Sequence, residues 1–269
     1  MRARRSAPFC LLAAALVLAG CGGGGSSGSG TASGGPSSAS SGGSPSSASS
    51  SATGGSGTSA SSDWGHLAGC PSVGRQIPQG TTTKQTVDVD GDGRPDTAWI
   101  ATQPDSSGGI AFGARTASGG FLAATIHSAS PVARSVLFAD VTGHGEVIAL
   151  ASDGRQVLLY AVSECQLIPV KNLQGKQYAF DLGFTGYGTG VGCVDADSDG
   201  TTDLVGLKYV PESQGAGTIQ RTIVRLSGNQ ARNGATDTVP ATNANMADEA
   251  QSVSCGDLTL AADGVSSGP

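Results

Sequence analysis

Beyond about residue 84 the apolar residues come in short alternating bursts, rich in aromatic and β-branched side chains and separated by polar, glycine-bearing turns. No segment carries a convincing helical period, so the pattern predicts strands throughout. The segments 108–120, 155–166 and 217–229 (GGIAFGARTASGG, RQVLLYAVSECQ and GTIQRTIVRLSGN) each read as a strand entering a polar turn. The expectation is an all-β domain over residues 63–265, with Trp99, Phe112, Phe121, Phe138 and Tyr160 as packing residues, and Trp64 with them.

Two acidic stretches punctuate this pattern at the same place, just before a β-rich segment. Residues 88–96 read DVDGDGRPD and residues 195–203 read DADSDGTTD. Asp88, Asp90, Asp92 and Asp96 in the first match Asp195, Asp197, Asp199 and Asp203 in the other, with Gly93 and Gly200 at position 6. Carboxylates at positions 1, 3 and 5, a glycine at 6 and a backbone carbonyl at 7 are what a tight calcium loop uses. The carbonyls would be those of Arg94 and Thr201, with Asp96 and Asp203 supplying the last carboxylates. Four clustered aspartates repel one another, and a divalent cation relieves that repulsion. An EF-hand would need Glu at position 12 between helices; Trp99 and Gly206 stand there, before strands. The competing reading is a pair of solvated acidic turns.

The loops mark an internal repeat. LFADVTGHGEVIAL aligns Asp140 with position 1 and Gly145 with position 6, but Thr142, His144 and Ile148 replace carboxylates, and one acid cannot do the work of four, which argues against metal at this loop. Starts at 88, 140 and 195 are 52 and 55 residues apart, and a further start at Asp257, 62 on, is suggested by VSCGDL matching VGCVDA. DVDGDGRPDTAWIA and CVDADSDGTTDLVGL resemble FG-GAP/VCBS-type repeats, found in integrin-like β-propellers and many secreted bacterial proteins. The resemblance covers about residues 84–260. It implies one propeller blade per repeat and two structural Ca2+ sites. Three full blade-like units plus a partial fourth are visible, fewer than such propellers usually have. A small ring closed by N-terminal strands (64–80), an open stack of sheets, and a larger ring built by several copies all remain open.

The amino end adds an address. Arg2, Arg4 and Arg5 precede an apolar run, residues 9–19, too short to span a bilayer and shaped like a secretory signal. Leu18-Ala19-Gly20-Cys21 resembles the lipobox of bacterial lipoproteins, which implies cleavage after residue 20 and a lipid on Cys21. Arg4-Arg5 leaves general and twin-arginine export both open. Residues 22–62 contain only Gly, Ser, Thr, Ala and Pro, the composition of a disordered tether. As a flexible coil it would span about 35 Å root-mean-square. The expected location is the outer face of the bacterial cell membrane.

Removal of the three signal arginines takes the net charge from −6 to −9, and eight of the acids lie in the two loops. No basic stripe exists, which argues against a nucleic-acid partner. Cys70, Cys165, Cys193 and Cys255 remain after the lipid position, without metal-ligand spacing, and an exported chain pairs such cysteines. Three connectivities can be drawn. The repeat places Cys193 and Cys255 at equivalent positions, favouring that pair and leaving Cys70 with Cys165, although a four-bladed ring could set the latter two far apart.

His66, His127 and His144 accompany no nucleophile motif, and GYGTGVG (186–192) precedes a strand, so it reads as a turn between units and not as a phosphate cradle. Two function classes follow. One is a non-catalytic surface lipoprotein binding a protein or a glycan. The other is a hydrolase of envelope polymers with its site in the repeat-domain loops.

Overall fold

Four β-strands, Thr81–Thr86 (β1), Asp96–Ala101 (β2), Ile110–Arg115 (β3) and Phe121–Ile126 (β4), form an antiparallel meander in which each strand pairs with its neighbour in sequence. The computed structural model describes residues 68–183, 188–212 and 216–268, all within a unit spanning 57–269. The proposed signal, Cys21, the tether, Trp64 and His66 lie outside the described residues.

A second meander runs Ser135–Asp140 (β5), Val147–Ser152 (β6) and Gln156–Ser163 (β7), with Gln166–Pro169 (β8) and Ala179–Asp181 (β9) sharing one edge of β7. The third is Thr189–Val194 (β10), Asp203–Pro211 (β11), Gly217–Ser227 (β12) and Gln230–Ala241 (β13). A six-residue helix, Ala244–Glu249 (α1), a hairpin of Ser254–Cys255 (β14) and Leu258–Thr259 (β15), and Val265–Ser266 (β16) complete the described chain. Among the described residues the fold is all-β apart from α1. Asn243 caps that helix by accepting the Met246 N–H, and Met246 and Ala250 pack with Val205, Leu207 and Ile223 of the third sheet. Fewer than two turns are too short to show a period, which is why the pattern hid it.

The second sheet is covered on both faces, and every residue of β6 is buried. Leu137, Ile148, Leu150 and Leu159 pack with Val191, Leu204 and Val224 of the third sheet. Phe138, Ala149, Ala151 and Tyr160 pack with Ile100, Phe112, Leu122 and Ile126 of the first. Sheets buried on both faces read as continuous apolar runs, as VIALA does. Each large side chain so enclosed is worth about 1.5–3 kcal/mol.

The segment 252–268 runs past the first strand of all three sheets. The Val191 N–H of β10 donates to the Ser252 carbonyl, Val191 and Val253 form a parallel bridge, and β16 pairs with β5 through Val265–Val136 and Ser266–Ser135. Lys84 of β1 donates to the Ala262 carbonyl. Bonds between Arg134 and Ser267 carry the domain slightly beyond the expected boundary at 265. Two expectations change here. Gly188 to Gly192 is not a turn between units: it opens β10, and a Cβ on Gly190 would lie 2.4 Å from the Ser252 carbonyl oxygen. Glycine is there for close backbone approach. Gly186 itself lies outside the described residues. Asp257 sits with Gly256 in the two-residue β14–β15 turn, with no room for a nine-residue loop.

Cys193 pairs with Cys255, and Cys70 with Cys165. The first bond joins the parallel neighbours β10 and β14. The other ties a strap, residues 68–75, to the β7–β8 turn. The strap lies along the first sheet: Val73 N–H donates to the Gly119 carbonyl, and the Arg75 guanidinium stands 5.5 Å over Phe121, which stacks on Trp99. No sheet closes on itself, and residues 68–80 add no strand, so closure by N-terminal strands is not seen among the described residues. Paired cysteines place folding in an oxidising, extracellular setting. Among the described residues no helix is long and apolar enough to cross a membrane.

Candidate metal centre

Because all three meanders are built alike, their acidic loops fall at one junction, between first and second strands: β1–β2, β5–β6 and β10–β11. The aspartate at position 1 does the same work in each. Asp88 accepts the N–H groups of Asp92 and Gly93, Asp140 those of Gly143 and Gly145, and Asp195 those of Asp199 and Gly200. Positions 4 and 6 are left-handed throughout, at Gly91 and Gly93, Gly143 and Gly145, Ser198 and Gly200. Only position 6 was legible as a glycine requirement. Ser198, at φ 62°, occupies a region that costs a side-chain-bearing residue about 1–2 kcal/mol.

In the first loop Asp88, Asp90 and Asp96 each bring a carboxylate oxygen within 4.8 Å of the others. Asp90 is fully buried: its Oδ2 accepts the Cys70 N–H at 2.6 Å and lies 2.7 Å from Ser118 Oγ, while its Oδ1 is buried with no hydrogen-bond partner. Asp96, 2% exposed, accepts the N–H groups of Val89 and Ala117, and burial pushes its pKa up to about 6. Asp92, expected as a fourth ligand, turns instead to Arg94, taking its backbone N–H and its guanidinium, and that hydrogen bond lowers the Asp92 pKa.

The third loop gathers Asp195, Asp197 and Asp203 within the same distance, but at the surface. Arg225 of β12 reaches in, 2.7 Å from Asp197 and 3.3 Å from Asp203. Burial raises the Asp203 pKa; the Ala196 N–H and Arg225 act against that, and the Asp197 charge adds to it. Asp199 bonds the Thr201 N–H of its own loop and stays outside the cluster. In the second loop the Val141 N–H, at position 2, donates to the Glu146 carbonyl. Position 2 in the other loops is held by the closing aspartate. Lacking that acid, the second loop uses up the position-7 carbonyl that a metal would need.

The first loop fits a calcium ion best. Three carboxylates converge, one orphaned oxygen is buried, and an unpaired buried carboxylate costs several kcal/mol. Asp88, Asp90, Asp96 and the Arg94 carbonyl would hold the ion, which would supply charge neutralisation.

His144 is an exposed turn residue whose N–H donates to Thr142 Oγ1. His127 adds to the lowering of the Asp105 pKa, behind the hydroxyl and backbone bonds from Ser107 and Gly109. That hydroxyl donates to Asp105 at 2.6 Å, whereas nucleophile activation needs the imidazole between serine and acid. Fold and site thus define an all-β protein of packed antiparallel meanders with carboxylate loops at their first turns. Comparison with protein-family models, curated proteins and solved structures found no match for this chain.

Proposed function

We propose that this chain is an exported lipoprotein, anchored in the membrane through Cys21, whose propeller-like repeat domain is braced by calcium and serves as a non-catalytic module for binding a protein or glycan. The buried trio Asp88, Asp90 and Asp96, with the orphaned Asp90 oxygen, carries the proposal. The trio sits where the strap, the β1–β2 loop and the β3–β4 turn meet, so an ion there would hold three segments at once. The meander repeat, the two disulfides and the lipobox-like run at 18–21 support the remainder.

Calorimetric titration of the chelated protein with calcium should give one tight site, with a weaker second site at the third loop. A flat trace overturns the calcium reading. Fatty-acid labelling should be lost in Cys21→Ser; label retained in that variant removes the anchor.

A further inference from the structure

Strand β9 separates two concavities that meet along it. One, of about 250 Å3, is lined by Tyr178, Asn233, Gln220 and Lys208 where β9 faces the third sheet. The other, of about 550 Å3, is lined by Ser130, Asp153, Arg155 and Gln156. Ala179 and Asp181 belong to both, so the two form one elongated groove with Asp181 at its waist.

We infer that this groove binds a neutral, polyhydroxylated chain: an oligosaccharide. The inference rests on the binding-module reading above and names its ligand class. Two acids, Asp153 and Asp181, balance two bases, Arg155 and Lys208, so neither an anion nor a cation is favoured by net charge. A phosphate polymer would want a basic excess, and a lipid an apolar lining. Vicinal hydroxyls each donate and accept, and they match a wall that mixes carboxylates, amides and cations. The polar groups are held in place beforehand. Asp153 takes the Ser128 hydroxyl at 2.5 Å and the N–H groups of Arg155 and Gln156 at 2.9 Å, and Asp181 takes the Gly183 N–H. Tyr178 donates to Asn233 Oδ1 at 2.6 Å and packs edge-on against Phe180, offering an amphipathic ring beside the polar groups. At the floor of the larger cavity Ser130 is only 7% exposed, and its hydroxyl has no hydrogen-bond partner. Buried hydroxyls are normally satisfied, so an unmet one marks where polar matter belongs.

The test is calorimetric titration of the full chain in detergent and saturating calcium with gluco-, manno- and xylohexaose, using hexagalacturonate and a chitosan hexamer as charged controls. At least one neutral hexamer should bind saturably. Asp181→Asn and Asn233→Ala should each weaken it about tenfold or more, the loss of one or two good hydrogen bonds. Thr82→Ala on β1 should change nothing, and equal calcium-dependent melting should show all variants folded. Binding by no neutral hexamer, wild-type affinity in both groove variants, or preference for a charged hexamer overturns the inference. A calcium titration on the same sample separates the two ideas: calcium uptake without saccharide binding removes the groove assignment alone. Saccharide binding with a flat calcium trace removes the calcium reading and leaves the groove.

Discussion

The first and third acidic loops share a nine-residue pattern, a strand junction and a backbone cap, yet their charge is balanced in different ways. In the third, Arg225 brings its own cation to Asp197 and Asp203. In the first, Asp90 and Asp96 are buried against backbone N–H groups, and Arg94 bonds Asp92, outside the trio. The cause is one position on the third strand of each sheet. Extending the β11–β12 register sets Arg225 opposite Asp203, whereas the same extension of β2–β3 sets Thr116 opposite Asp96. Carboxylate spacing therefore says where an ion fits. The residue facing the closing aspartate says how much the loop depends on one.

The sharpest way to break this comparison is to disable each loop in turn. Calcium at a hundredfold excess over Kd adds about 2.7 kcal/mol per site. Asp90→Asn should abolish most of the calcium-induced rise in melting temperature, and Asp197→Asn only a small part. Equal losses would mean that Arg225 does not matter. Asp92→Asn should do less than Asp90→Asn, because Asp92 serves its own loop.

Arg225→Ala should come next in size. It removes exposed ion pairs worth about 0.5–1 kcal/mol in chelator. It should also tighten calcium binding at the third loop by freeing two carboxylates. Calorimetry that finds no change in affinity would show that the arginine and the ion do not compete. Ser198→Gly should be smaller still, raising stability by about 0.5–1 kcal/mol through relief of the left-handed backbone. A denaturant midpoint that falls would count against that strain.

Acidity sharpens the contrast further, through the direction of one shift. Asp96 titrates at about 6 in the folded protein against an ordinary value near 3.8. Ionising it therefore opposes folding: its favourable contribution is full below about 3.8 and is lost as pH rises through about 6. In chelator, melting temperatures should rise as pH falls from 7 to 5 for wild type, and less so for Asp96→Asn. With calcium the slope should flatten, since the ion competes with the proton.

Much of this was legible because it is local. The loops, their positions 1 and 6, and the strands after them follow from residues a few apart. Equivalent positions in the repeat also led to the Cys193–Cys255 bond. What stayed hidden comes from elsewhere in the chain. Asp92 and Asp199 fit the ligand spacing but are recruited by the position-7 N–H of their own loops. Arg225, Ser118 and the Cys70 N–H reach the acids across 20 to 28 residues. The spacing of Gly188 to Gly192 gave no hint of the chain that passes over it, since glycine marks a turn and a close crossing alike.

The segment 252–268 gives the molecule an order of assembly. Its residues are synthesised after every strand of the three meanders, and they touch the first strand of each. A chain made from its amino end would form its hairpins early, and the bonds from this stretch to β1, β5 and β10 would be the last to form. Contacts made across so much intervening sequence are slow to form. During that wait the outer edges of β5 and β10 would lie open to other chains. A protease acting outside the membrane would therefore find a nascent molecule far easier to cut than a finished one.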